Sequence, residues 1–210
     1  MFHIRLFSVI MQHQARKHYD DMISKIRQEK QSFMEKAFEK DPYADMDTLL
    51  KQFRCEKIDN VIQKWCDIPI PKEKRVKYGR KTNSRKKLAD IIGISAQYLT
   101  DISKGSKFPS RDMMLSLAVG MKLSFEERVE FMMYHDDDRN YPSTMTEELI
   151  EKCIEESGYC DSEMPFLTFN NDYVYERLGH KYSLYKGGEK EETQKSCKNN
   201  KLKETAEVDK

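Results

Sequence analysis

The sequence predicts an all-α protein, on three observations. Apolar residues recur at three- and four-residue steps along most of residues 14–160, the period of a helix and not of a strand. These stretches are punctuated by Gly and Pro and begin at Ser, Thr or Asp. Charged residues make up 35% of the 210-residue chain, above the roughly 25% of ordinary globular proteins. That composition suits small helical units with solvated faces. The length fits one domain with appendages, or two small ones.

Residues 1–71 read as an N-terminal helical extension. Tyr19, Met22, Ile23, Ile26, Phe33, Met34, Ala37 and Phe38 predict a helix over 14–40, stopped by Asp41-Pro42. Asp47 is placed to cap a second helix that carries Leu49, Leu50, Phe53, Ile58, Val61, Ile62 and Trp65. It ends before Ile68-Pro69-Ile70-Pro71, whose prolines favour extended backbone. The resulting hairpin is either a dimerisation element or a cover for the next domain. Its apolar pattern is no sustained heptad, which favours the cover. The opening MFHIRLFSVIM is apolar but lacks a cleavage site for a secretory signal. No stretch approaches the ~18 apolar residues of a membrane span.

Residues 72–83, KEKRVKYGRKTN, form a basic arm or linker. Residues 84–160 carry five short helical patterns. RKKLADII starts at Asn83 or Ser84. AQYLTDISK has Ser95 as N-cap and Gly105 at its end. RDMMLSLAV comes after Pro109-Ser110 and is closed by Gly120. The fourth opens with a Ser124–Glu127 capping box. The fifth starts at Thr144 or Thr146, has Glu147 placed for a second capping box, and stops at Gly158. Residues 161–186, with Phe166, Leu167, Phe169, Tyr173, Val174 and Leu184, read as a docked segment. Residues 187–210 are almost devoid of apolar side chains and are predicted to be a disordered tail.

The net charge of +1 appears to exclude a nucleic-acid partner, but it is a cancellation. Residues 72–111 carry +9 and residues 112–170 carry −10. Asymmetry of this kind is a partner signal.

The stretch SRKKLADIIGISAQYLTDISKG places two short helices around a tight turn at Gly93, the pattern of a helix-turn-helix unit. Leu88, Ala89, Ile92, Ile94, Leu99 and Ile102 supply its inner face. Ser95 starts the second helix so that Ala96, Gln97 and Thr100 project outward, and that half of such a helix enters the major groove. Gln97 suits a bidentate contact to adenine, and the Thr100 methyl suits a thymine methyl. Tyr98 is set to reach a phosphate with its hydroxyl. Arg85, Lys86, Lys104, Lys107 and Arg111 are set to meet phosphates as well.

On Leu88-Ala89, Gly93-Ile94-Ser95, Tyr98-Leu99, Ile102, Gly105 and Pro109, the chain resembles the lambda-repressor-like (Cro/XRE-type) helix-turn-helix family over about residues 84–134. The resemblance implies a compact helix-turn-helix bundle that reads duplex DNA with Ser95–Lys104. Two residues depart from the family pattern. Arg85 stands where Gln is usual, and Ser103 stands where Glu is usual. The first helix of such domains is also displaced, either to Leu49–Trp65 or to residues 72–82. Residues 109–144 look like a divergent bacterial subfamily, some of whose members serve signalling systems near protein kinases.

No Gly-rich phosphate loop, His-Glu-x-x-His or nucleophile elbow occurs, so no enzyme and no cofactor is expected. Asp136-Asp137-Asp138 reads as a solvated loop. Cys153 and Cys160 with His135 or His180 match no metal-ligand spacing. Five irregularly spaced cysteines encode no disulfide framework, which points to a reducing, cytoplasmic location. The expected function is a sequence-specific DNA-binding transcriptional regulator. The alternative is a non-enzymatic adaptor that meets a protein through the acidic 112–170 region. A homodimer is compatible with either.

Overall fold

The computed structural model describes residues 2–70, 82–136 and 141–187, with side chains from Lys17 onward except His18. Most of the basic arm, Asp137 and Asp138 of the acidic loop, and the tail beyond Gly187 lie outside the described residues.

Helix α1 runs over Phe2–Lys40. It begins twelve residues before the expected start, because the sequence holds no Gly or Pro before Pro42 to interrupt it. Helix α2 spans Met46–Asp67. Its cap is Asp45 and not Asp47: the Asp45 carboxylate accepts from the Thr48 amide at 2.8 Å, while Asp47 lies in the first turn. The two helices pair antiparallel, with Phe33 and Phe53 ring centroids 5.5 Å apart and Lys57 on Glu29 at 2.8 Å. Further towards its start, α1 lies along the rest of the bundle. Lys25 reaches Glu130 at 3.3 Å, and Ile26 is buried in the common core.

Five helices come next: α3 (Arg85–Ile92), α4 (Ala96–Ser103), α5 (Arg111–Gly120), α6 (Phe125–Met133) and α7 (Met145–Ser157). Each starts on a side-chain cap from Ser84, Ser95, Ser110, Ser124 or Thr144. Only Ser124–Glu127 forms the full capping box. The second one expected at Thr144 is half made. The Glu147 amide donates to Thr144 Oγ1, but its carboxylate turns to the Ser143 amide and to Arg111 instead. Helix α5 ends at Gly120, as expected, but the glycine is its last helical residue and not a left-handed cap. A Cβ there would lie 2.5 Å from Ile92 Cγ2, so the glycine lets α5 cross α3 closely. The left-handed residue is Lys122, at φ 56°. Its ammonium bonds the Tyr159 and Ser162 carbonyls at 3.2 and 2.6 Å, ties that offset the strain.

The docked segment is helical: α8 (Phe166–Phe169), a π-helical stretch (Asn170–Tyr175), α9 (Glu176–Leu178) and a 3₁₀ turn (His180–Tyr182). A final extended strap carries Leu184 into the core. One contiguous core joins Ile58 and Ile62 of α2, Leu88 and Ile92 of α3, Leu99 and Ile102 of α4, Phe131, Ile150, Phe169 and Leu184. The N-terminal hairpin therefore covers the bundle directly. Among the described residues there is no strand, only an isolated bridge between Pro69 and Thr82. None of the described helices is long and apolar enough to cross a membrane.

Candidate nucleic-acid interface

The pair of helices α3 and α4, with the turn at Gly93 between them, is built by its own local chemistry. Ser84 caps α3 through the Lys87 amide. Gly93 takes φ 75°, a left-handed conformation that costs a residue with a Cβ about 1–2 kcal/mol. The turn is closed by the Ile94 amide on the Ala89 carbonyl at 2.9 Å. Leu88, Ala89, Ile92, Leu99 and Ile102 are fully buried, so α3 and α4 are locked together by the apolar face that the sequence spacing implies.

Helix α2 packs on α4. It supplies the partner of both Arg85 and Ser103. Arg85 forms an ion pair with Asp59 of α2, its Nη2 lying 3.2 Å from Asp59 Oδ2 and 3.1 Å from Gln63 Oε1. Ser103 donates to Asp59 Oδ1 at 2.6 Å. A carboxylate from the neighbouring helix thus collects the start of α3 and the end of α4. The Cys55 thiol on the same helix donates to the Lys107 carbonyl at 3.6 Å, pinning the loop after α4.

The ten sequence-predicted site residues divide into three groups. Ala96, Gln97, Lys86, Lys104 and Lys107 are exposed on α3, α4 and the following loop. Ser95, Tyr98 and Thr100 are partly committed. Ser95 Oγ accepts from the Tyr98 amide, and Thr100 Oγ1 donates back to the Ala96 carbonyl at 3.1 Å. The Tyr98 ring packs against the core margin with the Lys107 ammonium 5.5 Å above it, and burial pushes its phenol pKa up. Arg85 and Arg111 face inward, contrary to expectation. Arg111 is largely covered against the buried Glu147, with Nε 2.5 Å from Oε1 and Nη2 3.2 Å from Oε2, and Nη2 also reaches Ser143 at 3.1 Å. Each arginine leads a helix that meets a carboxylate of another helix, and the hydrogen-bonded ion pair holds it there.

Sequence reasoning missed Asp101. It comes four residues after Gln97, on the same face of α4. Gln97 Nε2 donates to its carboxylate at 2.7 Å and Lys107 pairs with it at 3.0 Å. Those contacts, Gln97 first, hold its carboxyl below the usual carboxylate range. The four-residue spacing from Gln97 is the sequence signal for it.

His135 stacks on Phe108 with centroids 5.1 Å apart. Among the described residues no group of three or more His, Cys, Asp or Glu is placed to hold a metal ion. Cys55, Cys66, Cys153 and Cys160 are free thiols. No family model matches the chain, and no curated protein and no solved structure matches it.

Proposed function

We propose that the protein binds duplex DNA without chemistry, as a sequence-specific transcriptional regulator that reads the major groove with α4. The observation that carries this reading is the division of α4 itself. Leu99 and Ile102 are fully buried against α3, while Ala96 and Gln97 stand exposed one turn before Asp101 on a capped N-terminal half. Such a half-helix fits the major groove when its partner helix crosses the backbone. Gln97 suits adenine N6 and N7, and Asp101 accepts from cytosine N4. The two side chains already bond one another, so reading a base exchanges that bond for one to DNA.

Lys86, Lys104 and Lys107 are the phosphate contacts in this reading. With Arg85 and Arg111 committed inside, the described part of the interface neutralises about three phosphates, a salt slope near −2.7. Free thiols at Cys55, Cys66, Cys153 and Cys160 fit a reducing, cytoplasmic setting. Selection from a random duplex pool tests the proposal. Enrichment of a short motif containing adenine and cytosine is expected, and paired half-sites would report a homodimer. A pool that stays random contradicts it.

One observation favours an adaptor as the second reading. The inward-facing arginines lower the DNA-facing charge, while Glu126, Glu127, Glu148, Glu155 and Glu156 remain exposed on α6 and α7. That surface would meet a basic face of a protein partner.

A further inference from the structure

The first turns of α5 and α7 and the strap after the 3₁₀ turn line a cleft of about 210 Å³. Its floor is apolar, made by the buried Leu115 of α5 and Ile150 of α7. The strap is its third wall, and that wall is fixed from behind by Asn170, which is only 2% exposed. Asn170 Oδ1 accepts from the Leu184 amide at 2.7 Å and the Tyr185 amide at 3.2 Å, and its Nδ2 donates to Ser183 Oγ at 3.2 Å. The cleft is thus formed before any ligand arrives, as small-molecule sites usually are.

Its rim carries charges of both signs that do not pair with one another. Asp112 stands in the first turn of α5, Lys181 on the 3₁₀ turn and Lys186 on the strap. The Lys181 ammonium lies 4.7 Å from the Tyr182 ring centroid, and Lys186 Nζ donates to the Ser183 carbonyl at 3.3 Å, so both contacts are with neutral groups. Among the described residues no ion pair joins either lysine to Asp112. A simple anion here would be repelled by Asp112, and a simple cation by the two lysines. A zwitterion is attracted by all three. Size narrows the class further. The volume lies below the roughly 300–1,000 Å³ of drug-sized sites. At ~30 Å³ per water it holds about seven waters, or a molecule of about eight non-hydrogen atoms.

We propose that this cleft binds a free α-amino acid with an aliphatic side chain of valine's size. The carboxylate meets Lys181 and Lys186, the ammonium meets Asp112, and the side chain lies on Leu115 and Ile150. The ligand then rests on the strap whose Lys186 amide donates to the carbonyl of Ile92, the last residue of α3, at 2.8 Å. The proposal stands apart from the DNA-binding reading above.

Calorimetric titration of the full chain with L-valine, 3-methylbutanoate and isobutylamine tests it. The second compound lacks only the ammonium, and the third lacks only the carboxylate. Valine is expected to bind saturably with a Kd of about 1 mM or tighter. Each analogue is expected to bind at least about tenfold more weakly, having lost a charged contact. Asp112→Asn is expected to weaken valine about tenfold and to leave 3-methylbutanoate no weaker. K181Q/K186Q is expected to weaken both. All three side chains are exposed, so both variants should keep the fold, which a thermal melt verifies. No saturable valine binding up to about 10 mM overturns the proposal. So does 3-methylbutanoate bound as tightly as valine, which would make the cleft a plain anion site. Valine affinity unchanged in either variant overturns it as well. In each of these cases the DNA reading stands, because no measurement here involves DNA.

Discussion

At the scale of single residues, the decisive group is Asp59. It holds Arg85 and Ser103, so the start of α3 and the end of α4 answer to one carboxylate. Arg85→Ala is therefore expected to cost about 1–2 kcal/mol of stability, since the pair is hydrogen-bonded but a quarter exposed. It should leave the salt slope of DNA binding nearly unchanged. Urea unfolding and a salt titration check the two halves; a drop in slope without a loss of stability would place Arg85 on the phosphates after all. Glu147 is the more buried case. Burial alone would raise its pKa, but Arg111 and the Ser143 amide outweigh burial and hold it below the usual range. A depressed carboxyl contributes stability above its unfolded pKa, about 4.3, and loses it as pH falls through the lower folded value. Glu147→Gln is expected to cost about 3–5 kcal/mol at pH 7 by removing the charge against which Arg111 is buried. The deficit should begin to shrink below about pH 4, as the unfolded carboxyl protonates, and keep shrinking until pH passes the lower folded value, below which the native carboxyl is neutral as well. A deficit that stays constant through that acid range would contradict this role for Glu147. The exposed site residues, Gln97 and Lys104 among them, were legible in the sequence because helix periodicity alone sets which face they share. The commitments of Arg85 and Arg111 were not, because their partners lie 26 and 36 residues away and no local pattern joins them.

At the scale of elements, the sequence reads well where one side chain meets a nearby amide. Ser84, Ser95, Ser124 and Thr144 all cap as their positions imply. It reads less well where neighbouring residues compete for the role. Asp45 prevails over Asp47 because its carboxylate reaches the Thr48 amide from outside the helix. Gly120 is used for packing against Ile92, so the left-handed role passes to Lys122. The π-helical stretch and strap after Phe166 had no sequence period to announce them; Asn170 sets them through long-range bonds. The turn between α3 and α4 gives the sharpest element-level expectation. Gly93→Ala incurs the left-handed penalty of about 1–2 kcal/mol and also drives a Cβ into Gly187. Its melting temperature should fall further than that of Gly105→Ala, where the left-handed penalty recurs but nothing lies within 4 Å. Equal losses in the two variants would mean that the strap does not press on the turn.

At the scale of the whole molecule, the opposed charge blocks partly neutralise each other. Arg111 of the basic block pairs with Glu147 of the acidic one, and inside the acidic block Arg128 pairs with Glu151. Glu130 is held by Lys25 of α1. Charge counted along the chain therefore overstates the charge available to a partner, and non-specific attraction to DNA should be modest. The measurement that bears most directly on the DNA-reading role of α4 is a salt titration of full-chain binding to duplex DNA, from about 50 to 200 mM. Affinity is expected at the low end and should fall linearly in log–log form, with a slope of at least about −2.7 in magnitude. Gln97→Ala should lose sequence preference while keeping that slope. No binding at about 50 mM, or an affinity indifferent to salt, would contradict that role.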